Sequence, residues 1–107
     1  MKVYKLSEFK RGWFVGDFDP SLIKTQDVEV AVQTFKAGDV EAEHYHGVAQ
    51  EITVIIEGRA EMFGEVYGPG QIIVISPGES TAFRAIDDVK TVVVKYPGAT
   101  NDKYLIR

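Results

Sequence analysis

The chain of 107 residues contains no cysteine. That absence removes disulfide frameworks, thiolate zinc sites, iron–sulfur clusters and cysteine nucleophiles together, because each depends on sulfur. Any metal has to be held by nitrogen and oxygen. Runs of like charge are missing as well: twelve basic and sixteen acidic residues are scattered to a formal charge of −4, and nothing in their order follows a phosphate backbone. Nucleic acid is therefore not an expected partner. Apolar stretches such as Ile72 to Ile75 and Thr91 to Val94 fall far short of the roughly 20 residues a membrane helix requires. The opening Met1 to Lys5 lacks the apolar segment of a secretory signal. No membrane partner is expected, and a cytoplasmic setting is the default.

Helical periodicity is scarce, and what replaces it has period two. Val28, Val30 and Val32 alternate with Glu29, Ala31 and Gln33, which predicts a strand over Val28 to Phe35 with one greasy face. Lys36-Ala37-Gly38-Asp39 turns the chain, and Glu41 to His46 is extended. Glu51 to Glu57 is rich in β-branched residues and closes at Gly58, with Arg59 to Phe63 as its expected hairpin partner. Gly68-Pro69-Gly70 precedes an expected buried strand over Gln71 to Ile75, which Ser76-Pro77-Gly78 stops. Thr81 to Ala85 and Thr91 to Lys95 supply two more strands. Short strands at such spacing, with glycine or proline between them, predict an all-β antiparallel sandwich or barrel. One domain spanning 1–107 is expected, its core at about 28–96, with terminal arms that pack on the barrel or on a second subunit.

The two histidines of the chain sit two apart, as His44-Tyr45-His46. On a strand, residues two apart share a face, and a rise of about 3.3 Å per residue starts their rings roughly 7 Å apart. Alone, such a pair is either a surface feature or two convergent ligands. Glu51, beginning the next strand, brings a carboxylate toward the same point. Two imidazoles and a carboxylate make a facial ligand set that leaves positions open and suits iron(II), manganese, nickel, cobalt or zinc. Glu41 and Glu43 alternate with the histidines and are expected to face away into solvent. Trp13, Phe14, Phe18, Tyr96 and Tyr104 read either as stacking surfaces for a sugar ring or as cover for a barrel end or a dimer interface. Asp17, Asp19, Asn101 and Asp102 read either as contacts for such a ligand or as ordinary turn residues.

The spacing Gly38-(x)5-His44-x-His46-(x)4-Glu51-(x)6-Gly58 resembles the first cupin motif at every fixed position. The second cupin motif is matched in part, through Gly70 and Gly78. Ser76 stands where that motif has proline, Thr81 where it has the third metal-binding histidine, and Ala85 where it has asparagine. The two motifs and their spacer cover Gly38 to Ala85. The resemblance implies a small double-stranded β-helix, the cupin or jelly-roll barrel. It further implies a homodimer and an interior that holds a divalent metal ion and a small-molecule ligand. With Thr81 in place of histidine, the implied protein ligands fall to His44, His46 and Glu51, and Thr81 becomes a lining residue. The chemistry implied ranges from a metal-dependent oxygenase or isomerase acting on a small polar or sugar-like molecule to a non-catalytic binding protein or a metal-free sugar isomerase or epimerase.

Overall fold

In the computed structural model, which describes residues 1–99 and 101–106, two single-turn 3-10 helices, Leu6–Glu8 and Lys10–Gly12, precede ten strands. These are β1 Trp13–Val15, β2 Glu29–Phe35, β3 Val40–His46, β4 Gln50–Glu57, β5 Ala60–Met62, β6 Glu65–Tyr67, β7 Ile72–Ile75, β8 Ser80–Ala85, β9 Val89–Tyr96 and β10 Lys103–Leu105. They form two five-stranded antiparallel sheets, β1-β2-β9-β4-β7 and β10-β3-β8-β5-β6. From β2 onward the chain passes back and forth between the sheets, the winding of a double-stranded β-helix. Among the described residues no helix is long and apolar enough to cross a membrane.

The crossings are made at residues that suit them. At Gly58 the chain leaves one sheet for the other with φ +77, where a side chain would run into the Asp88 carbonyl oxygen. Phe63 and Gly64, at φ 54 and 75, form a two-residue turn that pairs Met62 with Glu65, and positive φ at both central positions matches the twist of the strands it joins.

Three expectations are corrected by the register. Arg59 to Phe63 is not the hairpin partner of Glu51 to Glu57. β5 lies in the opposite sheet, on β6 and β8, whereas β4 is flanked by β7 and β9. Gln71 to Ile75 is not buried throughout: Ile73 and Ile75 face the core, while Ile72 and Val74 are 62% and 52% exposed. The terminal arms do more than pack, since β1 extends one sheet beside β2 and β10 extends the other beside β3.

The barrel interior is divided along its length. One end is a dry core in which Ile55, Ile73, Ile75 and Val89 of one sheet meet Ala60, Met62, Phe83 and Ala85 of the other, with Phe35 and Tyr67 against them. The other end buries polar groups: Glu29, His44, His46, Thr53, Thr81, Thr91 and Asp102. Packing of the first end gives the barrel its hydrophobic stability, and the second end is the one that buries polar groups.

Candidate metal centre

His44 and His46 both point into the polar end and are 4% and 3% exposed. Their rings lie 5.3 Å apart, nearly perpendicular at 83°. Each ring is held from behind by a backbone carbonyl. His44 Nδ1 is 2.9 Å from the Ala42 oxygen, and His46 Nδ1 is 3.2 Å from the Asp102 oxygen. A carbonyl only accepts, so each Nδ1 carries a proton, and in a neutral ring Nε2 is then left with its lone pair. That is the tautomer and the outer support found for metal-ligating histidines.

Nε2 of His46 is buried and, among the described residues, has no hydrogen-bond partner. Its neighbour is Glu51 Oε1 at 3.6 Å, too long for a good hydrogen bond. Donor atoms about 2.1 Å from one ion stand roughly 3.0 Å apart at right angles and about 3.4 Å apart in a tetrahedron, so the His46–Glu51 pair is close to the spacing of two ligands. Among the described residues, no three His, Asp or Glu side chains are yet gathered tightly enough to hold an ion together.

The Glu51 carboxyl sits below its ordinary pKa. Burial, the largest single influence, pushes it up. His46, Lys95 and His44 together outweigh burial and favour the carboxylate, the two rings doing so in their protonated form; the carboxylate is the form a metal ligand needs.

These side chains line a cavity of about 490 Å³ that also takes in Glu29, Gln33, Glu41, Lys95, Trp13 and Phe18. Several of these places were not legible beforehand. In β2 the greasy face of the valines turns outward. Glu29, Ala31 and Gln33 take the inner face, and Glu29 Oε2 accepts a 2.8 Å hydrogen bond from the Ala99 amide. Glu41 faces the cavity rather than solvent because three steps on β3, from Glu41 to His44, match two on β8, from Phe83 to Thr81. Such a bulge inserts one residue and reverses the alternation. Lys95 lies directly opposite both Glu29 and Glu51 in the ladder, so an acid–base–acid row crosses three strands. Its ammonium stands 4.8 Å from the Trp13 ring centre, within cation–π range.

Thr81, opposite His44 in the ladder, is 4% exposed and lines a pocket of about 30 Å³ beneath His44, together with Thr53 and Thr91. Its hydroxyl donates a weak 3.3 Å bond to the Ala82 carbonyl. Of the five aromatic residues singled out, Trp13 and Phe18 reach the cavity. Phe14 packs edge-on with Phe9, Tyr104 stacks on Tyr45, and Tyr96 is 65% exposed.

Asp102 is the least foreseeable contributor. Its carboxylate accepts the amides of Gly47, Val48 and Ala49 at 2.9 to 3.1 Å, which fixes the turn between His46 and Glu51. Burial raises its pKa most strongly. The three amides and His46 overcome that and hold the group ionised. One residue thus anchors the turn through its side chain and the His46 ring through its carbonyl oxygen.

Fold and cavity together define the class: a double-stranded β-helix of the cupin type. An uncharacterized conserved protein with a double-stranded beta-helix domain from Klebsiella pneumoniae is similar over 100% of this chain and 98% of its own, with 22% identity and a TM-score of 0.71. An RmlC-like cupin protein from Desulfovibrio desulfuricans is similar over 73% of this chain and 79% of its own, with 25% identity and a TM-score of 0.61. Bacillus subtilis oxalate decarboxylase, a protein with Mn(II) centers, is similar over 77% of this chain but 25% of its own, with 17% identity and a TM-score of 0.64. No protein-family model and no curated protein matches the sequence.

Proposed function

We propose that the cavity holds a divalent metal ion on His44, His46 and Glu51 and takes a small polar or sugar-like molecule at the ion's open positions. The observation that carries this reading is the buried, unpartnered Nε2 of His46, 3.6 Å from the Glu51 carboxylate. Leaving such an atom without a partner costs about 1–3 kcal/mol, and an ion satisfies it. The manganese of oxalate decarboxylase shows that a cupin-fold protein can hold such an ion. Nitrogen and oxygen donors suit manganese, iron, nickel or zinc alike. When bound, the ion supplies Lewis-acid chemistry, or oxygen chemistry if it is iron.

The chain's own residues then divide the remaining work. The acid–base–acid row of Glu29, Lys95 and Glu51 offers a polar wall on which hydroxyl or carboxylate groups of a ligand orient. Trp13 and Phe18, which line the same cavity, offer the less polar surface. The reading is of an oxygenase or isomerase type of enzyme working as a cytoplasmic homodimer.

Elemental analysis of protein purified without an affinity tag, beside the His44→Ala/His46→Ala double variant, tests the site. Near-stoichiometric metal in the parent and none in the variant is the expected result. No metal in either, after incubation with iron, manganese, nickel and zinc salts, overturns it.

A second reading has its own support in Thr81 and in the open spacing of the three ligands. In it the cavity works without an ion, as a binding site or a metal-free isomerase with a histidine as base. It predicts ligand binding that chelators leave unchanged.

A further inference from the structure

The charged groups around the cavity are not equally committed. Glu29 accepts the Ala99 amide, Asp102 accepts three amides, and Asp19 pairs with Lys24 at 3.1 Å. The bases that line the same cavity are Lys10, Arg11, Lys95 and Lys103. Among the described residues, none of the four makes an ion pair or donates a side-chain hydrogen bond. With Asp19 matched by Lys24, these four positive charges face four negative ones, on Glu29, Glu41, Glu51 and Asp102. A divalent ion adds two positive charges that no side chain balances, and an anionic ligand offsets them.

Lys95 is the innermost of the bases. Thr91 and Val93 before it on β9 point inward, and alternation turns Lys95 the same way. It is half-buried, whereas Lys10, Arg11 and Lys103 are exposed. In the ladder it stands between Glu29 and Glu51, yet it forms an ion pair with neither. Its ammonium lies instead 4.8 Å from the centre of the Trp13 ring. The ring attracts the charge and leaves the N–H donors, three on an ammonium, for a ligand or water. A carboxylate takes such donors in charge-assisted bonds about twice as strong as those of a neutral hydroxyl. Phosphate sites draw on helix N-termini or forked arginines. Here the inner base is a single lysine, and the two helices nearby are one turn each.

We propose that Lys95 anchors a carboxylate, so that the ligand of this cavity is a small organic acid with a hydroxyl or carbonyl oxygen beside its carboxylate. Because Lys95 and Glu51 are direct partners in the ladder, an acid held this way lies next to the histidine and glutamate cluster. The inference narrows the ligand of the proposed function and rests on that reading's cavity, not on its ion.

Calorimetric titration of the parent, Lys95→Met and Lys95→Arg with glycerate, malate, glycerol and inorganic phosphate tests it. Trp13 is the single tryptophan of the chain, so its emission reports whether binding occurs at this site. The expected result is an acid bound at least about tenfold more tightly than glycerol, with a change in Trp13 emission. Its affinity falls about 10–100-fold in Lys95→Met, Lys95→Arg keeps most of it, and metal content is unchanged in both. If Lys95→Met does not fold, the parent decides: an acid that leaves Trp13 emission unaltered is bound elsewhere and overturns the proposal. Glycerol bound as tightly as the acids, no binding by either acid, or affinity untouched by Lys95→Met also overturns it. Phosphate bound more tightly than both acids overturns the carboxylate assignment. Elemental analysis separates this from the metal: a Lys95-dependent acid preference in metal-free protein refutes the ion and leaves the carboxylate subsite standing, and metal without an acid preference does the reverse.

Discussion

Replacement of Asp102 tests how the proposed metal site is supported. Its carboxylate binds three successive amides, of which Ala49, at 1% exposed, has no access to water. In Asp102→Ala the Ala49 N–H is stranded, at about 1–3 kcal/mol. The Gly47 and Val48 amides are exposed and regain water, so each forfeits only the net worth of its hydrogen bond, about 0.5–1.5 kcal/mol. The sum is about 4 kcal/mol, against a total stability of roughly 5–15 kcal/mol for a chain of this length. That corresponds to a fall in Tm of about 16–26 °C. Asp102→Asn keeps one acceptor oxygen but turns an amide donor toward the others, and should lose about half as much. Urea unfolding of the three proteins, with the slope of the transition held constant, measures the difference directly. A second readout separates support of the site from stability alone. Because the Asp102 carbonyl holds the His46 ring, loosening this segment should weaken metal binding about 10–100-fold at temperatures where the variant is still folded. Asp102→Ala within about 0.5 kcal/mol of the parent, the range of ordinary surface changes, would refute the reasoning.

Two further predictions concern the motif positions. Gly38 and Gly58 both have positive φ, at +92 and +77, but a Cβ meets nothing within 4 Å at Gly38 and runs into the Asp88 backbone at Gly58. Gly38→Ala should cost only the left-handed backbone penalty, about 1–2 kcal/mol. Gly58→Ala should cost more than about 3 kcal/mol because the loop before β9 has to move, and equal costs in thermal unfolding would contradict the geometry. Thr81→His puts an imidazole directly across from His44, where cross-strand Cβ atoms lie about 4.5–5.5 Å apart. It should tighten metal binding at least about tenfold in a competition titration with a chelator, and unchanged affinity would place the ion elsewhere.

The architecture was legible in the sequence because it rests on period two and on turn residues. Apart from β6, Glu65–Tyr67, which was not foreseen, the strands from Glu29 to Tyr96 fall close to where alternation and glycine put them. The convergence of His44, His46 and Glu51 on one cavity was legible for the same reason: two of them share a strand face. What escaped has identifiable physical causes. Pairing between strands is a long-range property, so β5 was assigned to its sequence neighbour although the left-handed backbone at Gly58 sends it to the other sheet. Glu41 was misjudged because a bulge has no reliable mark in sequence. Asp102 escaped because its partners, Gly47 to Ala49, lie more than fifty residues away.

The β2 strand shows why composition alone misleads about which face is inside. Val30 and Val32 are the greasy residues, yet Glu29 and Gln33 are turned inward. Burial of a carboxylate and an amide there is tolerable only because the space they enter is polar: Ala99 supplies an amide to Glu29, and Lys95 lies opposite it. Had the strand been turned the other way, valines would fill the cavity and the outer face would be charged. Both the ligand space and the apolar outer face therefore follow from one choice of register. An engineered exchange of Val30 and Val32 with Glu29 and Gln33 should abolish both at once, because in a strand of period two it moves each face's side chains to the other.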